Sequence, residues 1–228
     1  MKKSPFYFEI KDVLIQFISA FDDIVISRYN KDRAEQSQIK VRYVYSPKQR
    51  VVHDIVNKAR HITLPVVAVN ISNITYDKTR VFNKIVGTYH QRVDTFQNHE
   101  MRTTTDHLPM PVPVDIEIDM SILTRYQTDM DQILSNFVPY NNPYIVISWK
   151  VPEELVQKDQ EIRSEVEWNG NLNVEYPTDI TSSEPYRVSA STSFTLHSWL
   201  FKDKQDPIGN IFTVNSFFTP MSGIEGLS

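Results

Sequence analysis

The chain has 228 residues, 40% of them hydrophobic and 23% charged, a balance that fits a packed globular protein and excludes an intrinsically disordered one. It contains no cysteine, which excludes disulfides and thiolate metal sites and leaves packing or assembly as the source of stability. The formal net charge is −4, yet residues 1–100 hold 16 Lys/Arg against 10 Asp/Glu and residues 101–228 hold 8 against 18, a polarity suited to orienting neighbouring subunits.

Near the start, Phe6, Ile10, Val13, Leu14, Phe17 and Phe21 recur at spacings of three and four with Glu9, Lys11, Asp12 and Gln16 between them, and predict an amphipathic helix over 5–21. The same charges interrupt the apolar run before a signal-peptide core is complete. No window approaches the roughly 18–20 apolar residues that cross a bilayer, so a soluble protein, intracellular when made, is expected. Ile24 and Ile26, then Ile39, Val41, Tyr43 and Tyr45, alternate with polar residues and predict two strands joined by a loop over 30–37. Ser46 as N-cap and Pro47 at the first helical position introduce a helix that buries Val51, Val52, Ile55 and Val56 and ends near Arg60. LPVVAVNISNITYD, β-branched and free of glycine, predicts a central strand.

Residues 77–111 scatter Val81, Phe82, Ile85, Val86, Tyr89, Val93 and Phe96 through polar sequence and end in LPMPVPV. They read as a long arm or loop, a feature that in a compact domain goes with a task such as reaching a partner. Val114, Ile116, Ile118 and Met120 then alternate with Asp115, Glu117, Asp119 and Ser121, a strand buried on one face and wet on the other. Met130, Ile133, Leu134 and Phe137 mark a helix opened by Thr128 or Asp129 and stopped by Pro139. PYIVISWKV predicts a strand, and EIRSEVEWNGNLNVEY a hairpin turning at Asn169 and Gly170. YRVSASTSFTLHSWLF and IGNIFTVNSFFT predict two strands joined through 206–209 as a wide hairpin, followed from about residue 219 by a flexible tail. This order predicts an α+β fold: a mixed, largely antiparallel sheet flanked by two to three helices, in one domain over 1–228 with an arm at about 77–111.

Chemistry-bearing patterns are few. The five glycines have no phosphate-cradling spacing, and HExxH, GxSxG and a cysteine nucleophile are all absent. His90, His99 and His107 with Asp94, Glu100 and Asp106 form one loose cluster in the arm, but their spacing matches no ligand pattern and solvated loop histidines account for them. His53 and His197 read as packing or surface residues. Asp115, Glu117 and Asp119, about 7 Å apart along one strand face, could hold a cation or act as acid and base. The wet side of a half-buried strand explains them more simply, and a contact surface for a neighbouring subunit comes before catalysis. Arg28–Tyr29 and Arg42–Tyr43 interleave basic and stacking groups, yet the acidic total and the lack of a dominant basic patch argue against nucleic-acid binding, and Tyr and Arg are equally favoured in protein interfaces. No catalytic residue, metal or other cofactor is expected.

LPVVAVNISNITYDKTRVFN, PVPVDIEIDMSILTRYQTDMDQILSNFVPYNNPYIVISW and YRVSASTSFTLHSWLF resemble the tail completion and sheath-stabiliser family of T-even-type contractile-tailed bacteriophages, the tail terminators. SILTRYQTDMDQIL followed by a Pro-Tyr turn is the most specific part, and the resemblance runs from about Phe6 to Phe218. It implies a structural virion protein at the tail–neck junction, assembled in the host cytoplasm: a hexameric ring that caps the tail, locks the last ring of sheath subunits and offers a docking surface to the neck of the filled head. The partners implied are identical copies, the tail sheath protein, the tail tube or tube-terminator protein, and neck or head-completion proteins, with no membrane and no specific nucleic acid among them. The family brings no catalytic residue to carry over. In such a ring Arg80, Phe82, Tyr89, Arg92 and Phe96 of the arm are the candidate contacts with a neighbour. Two other readings stay open: another neck or tail ring, connector or tube-terminating, and a metal-dependent hydrolase built on the strand carboxylates and the arm histidines.

Overall fold

The computed structural model describes residues 6–29, 32, 35–56, 63–81, 87–95, 101–141, 143–152, 155, 160–176, 187–202 and 208–209. In chain order the elements are α1 (Glu9–Ser19), β1 (Val25–Tyr29), β2 (Glu35–Lys40), β3 (Arg42–Tyr45), α2 (Lys48–Val56), β4 (Val66–Tyr76), β5 (Gly87–Thr95), β6 (Met101–Pro109), β7 (Val112–Thr124), α3 (Gln127–Tyr140), β8 (Ile145–Lys150), β9 (Glu161–Glu175), β10 (Val188–Leu200) and β11 (Ile208–Gly209). They fall into two compact units, one drawn from 1–84 and 111–202, the other from 85–110 and 203–228.

The first unit is built on a six-stranded sheet in the order β3-β4-β7-β10-β9-β8, parallel between β3 and β4 and antiparallel elsewhere. With its three helices this is the mixed, largely antiparallel α+β fold read from the sequence. The strict alternation of β7 puts Val114, Ile116, Ile118, Met120 and Ile122 into one core with Phe194 and Leu196 of β10, Val67 and Val69 of β4, and Ile147 and Trp149 of β8. α1 lays Val13, Leu14 and Phe17 on that face, and α3 adds Met130, Ile133 and Phe137. Phe17, Phe21, Phe137 and Phe194 meet there with ring centroids 5.2–5.9 Å apart. On the other face a smaller core joins Val51 of α2 to Val66, Ala68 and Leu123, covering the β3–β4 end of the sheet alone.

Several boundaries differ from the sequence reading. The run from Ile39 to Tyr45 divides: β2 pairs with β1 in a separate two-stranded ribbon, whereas β3 joins the main sheet. Pro47, not Ser46, supplies the first carbonyl of α2, accepting from the amides of Arg50 and Val51 at 3.1 and 3.3 Å. Ser46 Oγ is buried with no hydrogen-bond partner among the described residues. Tyr126, one residue before α3, takes the capping position without a side-chain bond, so Asp129 lies inside the first turn and is buried. Pro139 sits within the last turn of α3 rather than ending it; Asn141 closes that end, its side-chain amide donating to the Phe137 carbonyl at 2.7 Å.

The segment read as a hairpin at Asn169–Gly170 is one continuous strand, β9. Its register on β10 passes from Leu172↔Thr192 to Trp168↔Phe194, so Asn169, Gly170 and Asn171 face the single residue Ser193, and Gly170 takes φ +73°. An Asn-Gly pair supplies the positive φ that a bulge needs as readily as the one a turn needs.

The region 77–111, read as an arm, is divided between the units: 77–84 belong to the first, and 85–110 of the second contain β5 and β6, which pair antiparallel from Gly87↔Pro109 to Thr95↔Met101. Ile208 and Gly209 of β11 pair with Thr105 and Thr104 of β6, so the wide hairpin expected between β10 and residues 208–219 is replaced, over these two residues, by pairing with β6. The tail expected from about residue 219 lies outside the described residues.

Candidate functional site: the polar face of the sheet

Beyond the patch that α2 covers, the second face of the six-stranded sheet carries polar side chains in rows fixed by the strand register. One row runs Thr75, Asp115, His197, Glu165; the next Asn73, Glu117, Thr195, Glu167; a third Asn70, Asp119, Ser193. Asp115, Glu117 and Asp119 are half-buried, and Glu165 and Glu167 are exposed. The carboxylate strip read along β7 therefore widens across β9 into an acidic surface. Glu117 and Asp119 have no side-chain partner among the described residues.

Asp115 is different. Its Oδ1 accepts from Arg80 Nη2 at 2.7 Å and lies 2.7 Å from His197 Nδ1, whose Nε2 is 3.7 Å from Glu167. Arg80 also donates to the carbonyls of Val114 (2.9 Å) and Ser198 (3.5 Å), and its guanidinium lies 5.2 Å from the ring centre of Trp199. Arg80 Nε bonds Asp77, which in turn accepts from the Thr79 hydroxyl at 2.6 Å and the Thr79 amide at 2.8 Å. These bonds, the Thr79 hydroxyl first and Arg80 next, hold the Asp77 carboxyl well below the usual carboxylate range. A guanidinium with five donors thus pins the turn after β4 onto β7 and β10.

At the α2 end, Lys48 reaches Glu175 at 3.0 Å and Ser189 at 3.3 Å, and its hydrogen bond is the main cause of the lowered Glu175 pKa. Beside it a shallow depression of about 420 Å³ is lined by Lys48, Asn70, Asp119, Asn171, Asn173 and Ser191 among others. Amides and hydroxyls of this kind offer hydrogen bonds to a partner surface, and no histidine is among the residues that line the depression. A second groove, of about 640 Å³, lies between β1 and α3. In it Arg28 pairs with the buried Asp129 at 3.5 Å and covers the Tyr126 ring at 5.1 Å, while the Gln132 amide bonds both the N–H and the C=O of Ser27 at 3.0 Å.

Of the five arm residues singled out in the sequence, Arg80 is at the centre of the Asp77–Asp115 network. Tyr89 and Arg92 stand on β5, at positions opposite His107 and Thr104 of β6. Phe82 and Phe96 lie outside the described residues, as does His99. Among the described residues no three His, Asp or Glu side chains converge as metal ligands. No described helix is long and apolar enough to cross a membrane. His197, Glu167 and Trp199 are the members of the network that the sequence did not single out as functional. Their relation to Asp115 and Arg80 is set by sheet register, for which the local sequence carries no signal.

No curated protein sequence matches the chain. The family model described as T4-like virus Myoviridae tail sheath stabiliser matches residues 6–224, which takes in both units and agrees with the extent of the resemblance read from the sequence. The chain belongs to that family and is a structural tail protein of contractile-tailed bacteriophages.

Proposed function

We propose that the chain acts as a ring of six identical copies that terminates the tail, locks the last ring of sheath subunits and presents a docking surface to the neck of the filled head. It catalyses no reaction; its work is done by surfaces. The match over residues 6–224 carries this reading. The polar sheet face supports it, because its carboxylates, amides and hydroxyls offer the hydrogen bonds of a contact surface. The partners in this reading are copies of itself, the sheath protein, the tail tube or its terminator, and head-completion proteins, at the tail–neck junction of the virion after assembly in the host cytoplasm.

Within the ring, the arm at residues 77–111 contacts a neighbour through Phe82, Tyr89, Arg92 and Phe96. Arg80 contributes by fixing residues 77–80 against β7 and β10. The test is electron microscopy and light scattering of the purified chain with and without tails, alongside a variant lacking residues 84–104. Six-fold rings on tail ends that vanish with the deletion, while the first unit keeps its thermal transition, are the expected result. A parent chain that stays monomeric on tails, or a deletion variant that still forms rings, overturns the arm-mediated ring.

A further inference from the structure

We propose that the outer half of β4, Asn73–Tyr76, takes up an extended segment of another virion protein as an added strand, one in which basic and apolar residues alternate. This deepens the sheath-stabilising reading and rests on it. β3 pairs with β4 only from Val66 to Val69, so Asn70–Tyr76 has β7 on one side and no described strand on the other. The strand turns from buried over Val66–Val69 to exposed from Ser72 onward. Ser72 is the extra residue of a bulge, with Ile71 opposite Ile118 and Asn73 opposite Glu117; past it the pairing is regular to Tyr76.

Register sets what an added strand would meet. On the core side, Ile74 stands opposite Ile116 and Tyr76 opposite Val114. Ile74 and Tyr76 are 40% and 51% exposed although their cross-strand partners are 1% and 5% exposed, so the apolar layer continues past the helices as an uncovered shelf. On the other side, Asn73 and Thr75 stand in front of Glu117 and Asp115, and Glu117 has no partner among the described residues. Side chains of a strand alternate between faces, so the added segment places apolar residues beside Ile74 and Tyr76 and basic residues beside Asn73 and Thr75, from where a long side chain reaches across β4 toward Glu117. Its backbone supplies affinity and its alternate side chains specificity.

The opposite edge of the sheet lacks this combination. On β8 the core-side residues Ile145, Ile147 and Trp149 are already buried, which leaves no apolar shelf for a newcomer. The run Ile39–Tyr43 of this chain alternates apolar and basic residues but is already paired within the fold through β2 and β3, which points to a different protein as the occupant.

Fluorescence anisotropy of the full chain tests this with three labelled nonapeptides: alternating lysine and valine, alternating glutamate and valine, and the lysine–valine peptide N-methylated on alternate backbone nitrogens. The first is expected to bind and the second not, with about tenfold weaker binding after N-methylation or in Glu117→Lys. Equal binding of the methylated peptide, or undiminished binding by both Glu117→Lys and Ile74→Asp, overturns the proposal. In sheath co-sedimentation, Ile74→Asp is expected to keep self-assembly and lose sheath retention. Retention equal to the parent overturns strand addition while leaving sheath stabilisation standing, and loss of self-assembly would assign the edge to a second copy instead.

Discussion

His197 Nδ1 and Asp115 Oδ1 lie 2.7 Å apart at directly opposed positions of the β7–β10 ladder. Because Arg80 bonds the same carboxylate oxygen, Asp115 is shared between a neighbouring strand and the turn that follows β4. Replacing Arg80 by alanine leaves Asp77 and Asp115 without their common cation and removes its hydrogen bonds to the Val114 and Ser198 carbonyls. The expected cost is about 2 kcal/mol. Urea denaturation of Arg80→Ala, Asp115→Ala and the double variant should show a coupling of about 1 kcal/mol; additive effects would mean that the two side chains act independently.

Asp77 and Glu9 respond to pH in opposite senses. The Asp77 carboxyl is held below its ordinary range by Thr79 and Arg80, so its stabilising contribution is complete at neutral pH and is lost as pH falls through the ordinary range toward the folded value. Burial pushes the Glu9 carboxyl up, against a hydrogen bond from the Phe201 amide, so the folded chain holds that proton more tightly and loses stability as pH rises through the same range. In melting curves from pH 3 to 7, Asp77→Asn should be less stable than the parent at neutral pH, with a gap that begins to narrow toward pH 3. Glu9→Gln, which keeps the acceptor oxygen, should gain on the parent as pH rises.

Gly170 separates conformational strain from crowding. No atom lies within 4 Å of where its Cβ would be, yet its φ is +73°. Gly170→Ala should cost about 1 kcal/mol in denaturant midpoint experiments, and Gly170→Asn less, since asparagine tolerates the left-handed region better. Equal, negligible effects would show that β9 relaxes its bulge freely.

Phe194 touches Phe17, Phe21 and Phe137 and is fully buried. Phe194→Ala should cost about 3–5 kcal/mol, and Phe194→Leu markedly less, because leucine refills much of the space. Calorimetry of the first-unit transition measures both.

The parts of the fold legible in the sequence are those governed by a local period. β7 shows its buried and wet sides because alternate residues cannot change face, and α1 shows Val13, Leu14 and Phe17 because a helical stripe has no other reading. Local chemistry failed where one signal serves two structures. Asn169–Gly170 satisfies a turn and a bulge equally, and only the partner strand decides between them. Ser46–Pro47 fits a cap followed by a first turn, but the helix starts one residue later. The acidic strip of β7 was readable as residues, whereas Arg80 is 35 positions and His197 82 positions from Asp115, separations at which only the assembled sheet brings them together.

The Phe201 amide donates to the Glu9 carboxylate across a separation of 192 residues. A ribosome that has released α1, β4 and β7 has still not released the Phe194 ring on which α1 lies, nor the amide that holds its first turn. The emerging polypeptide therefore carries a bare aromatic helix face through most of its translation, and its first unit closes only once β10 has cleared the exit tunnel. Truncated products ending before β10 should be sticky and protease-sensitive.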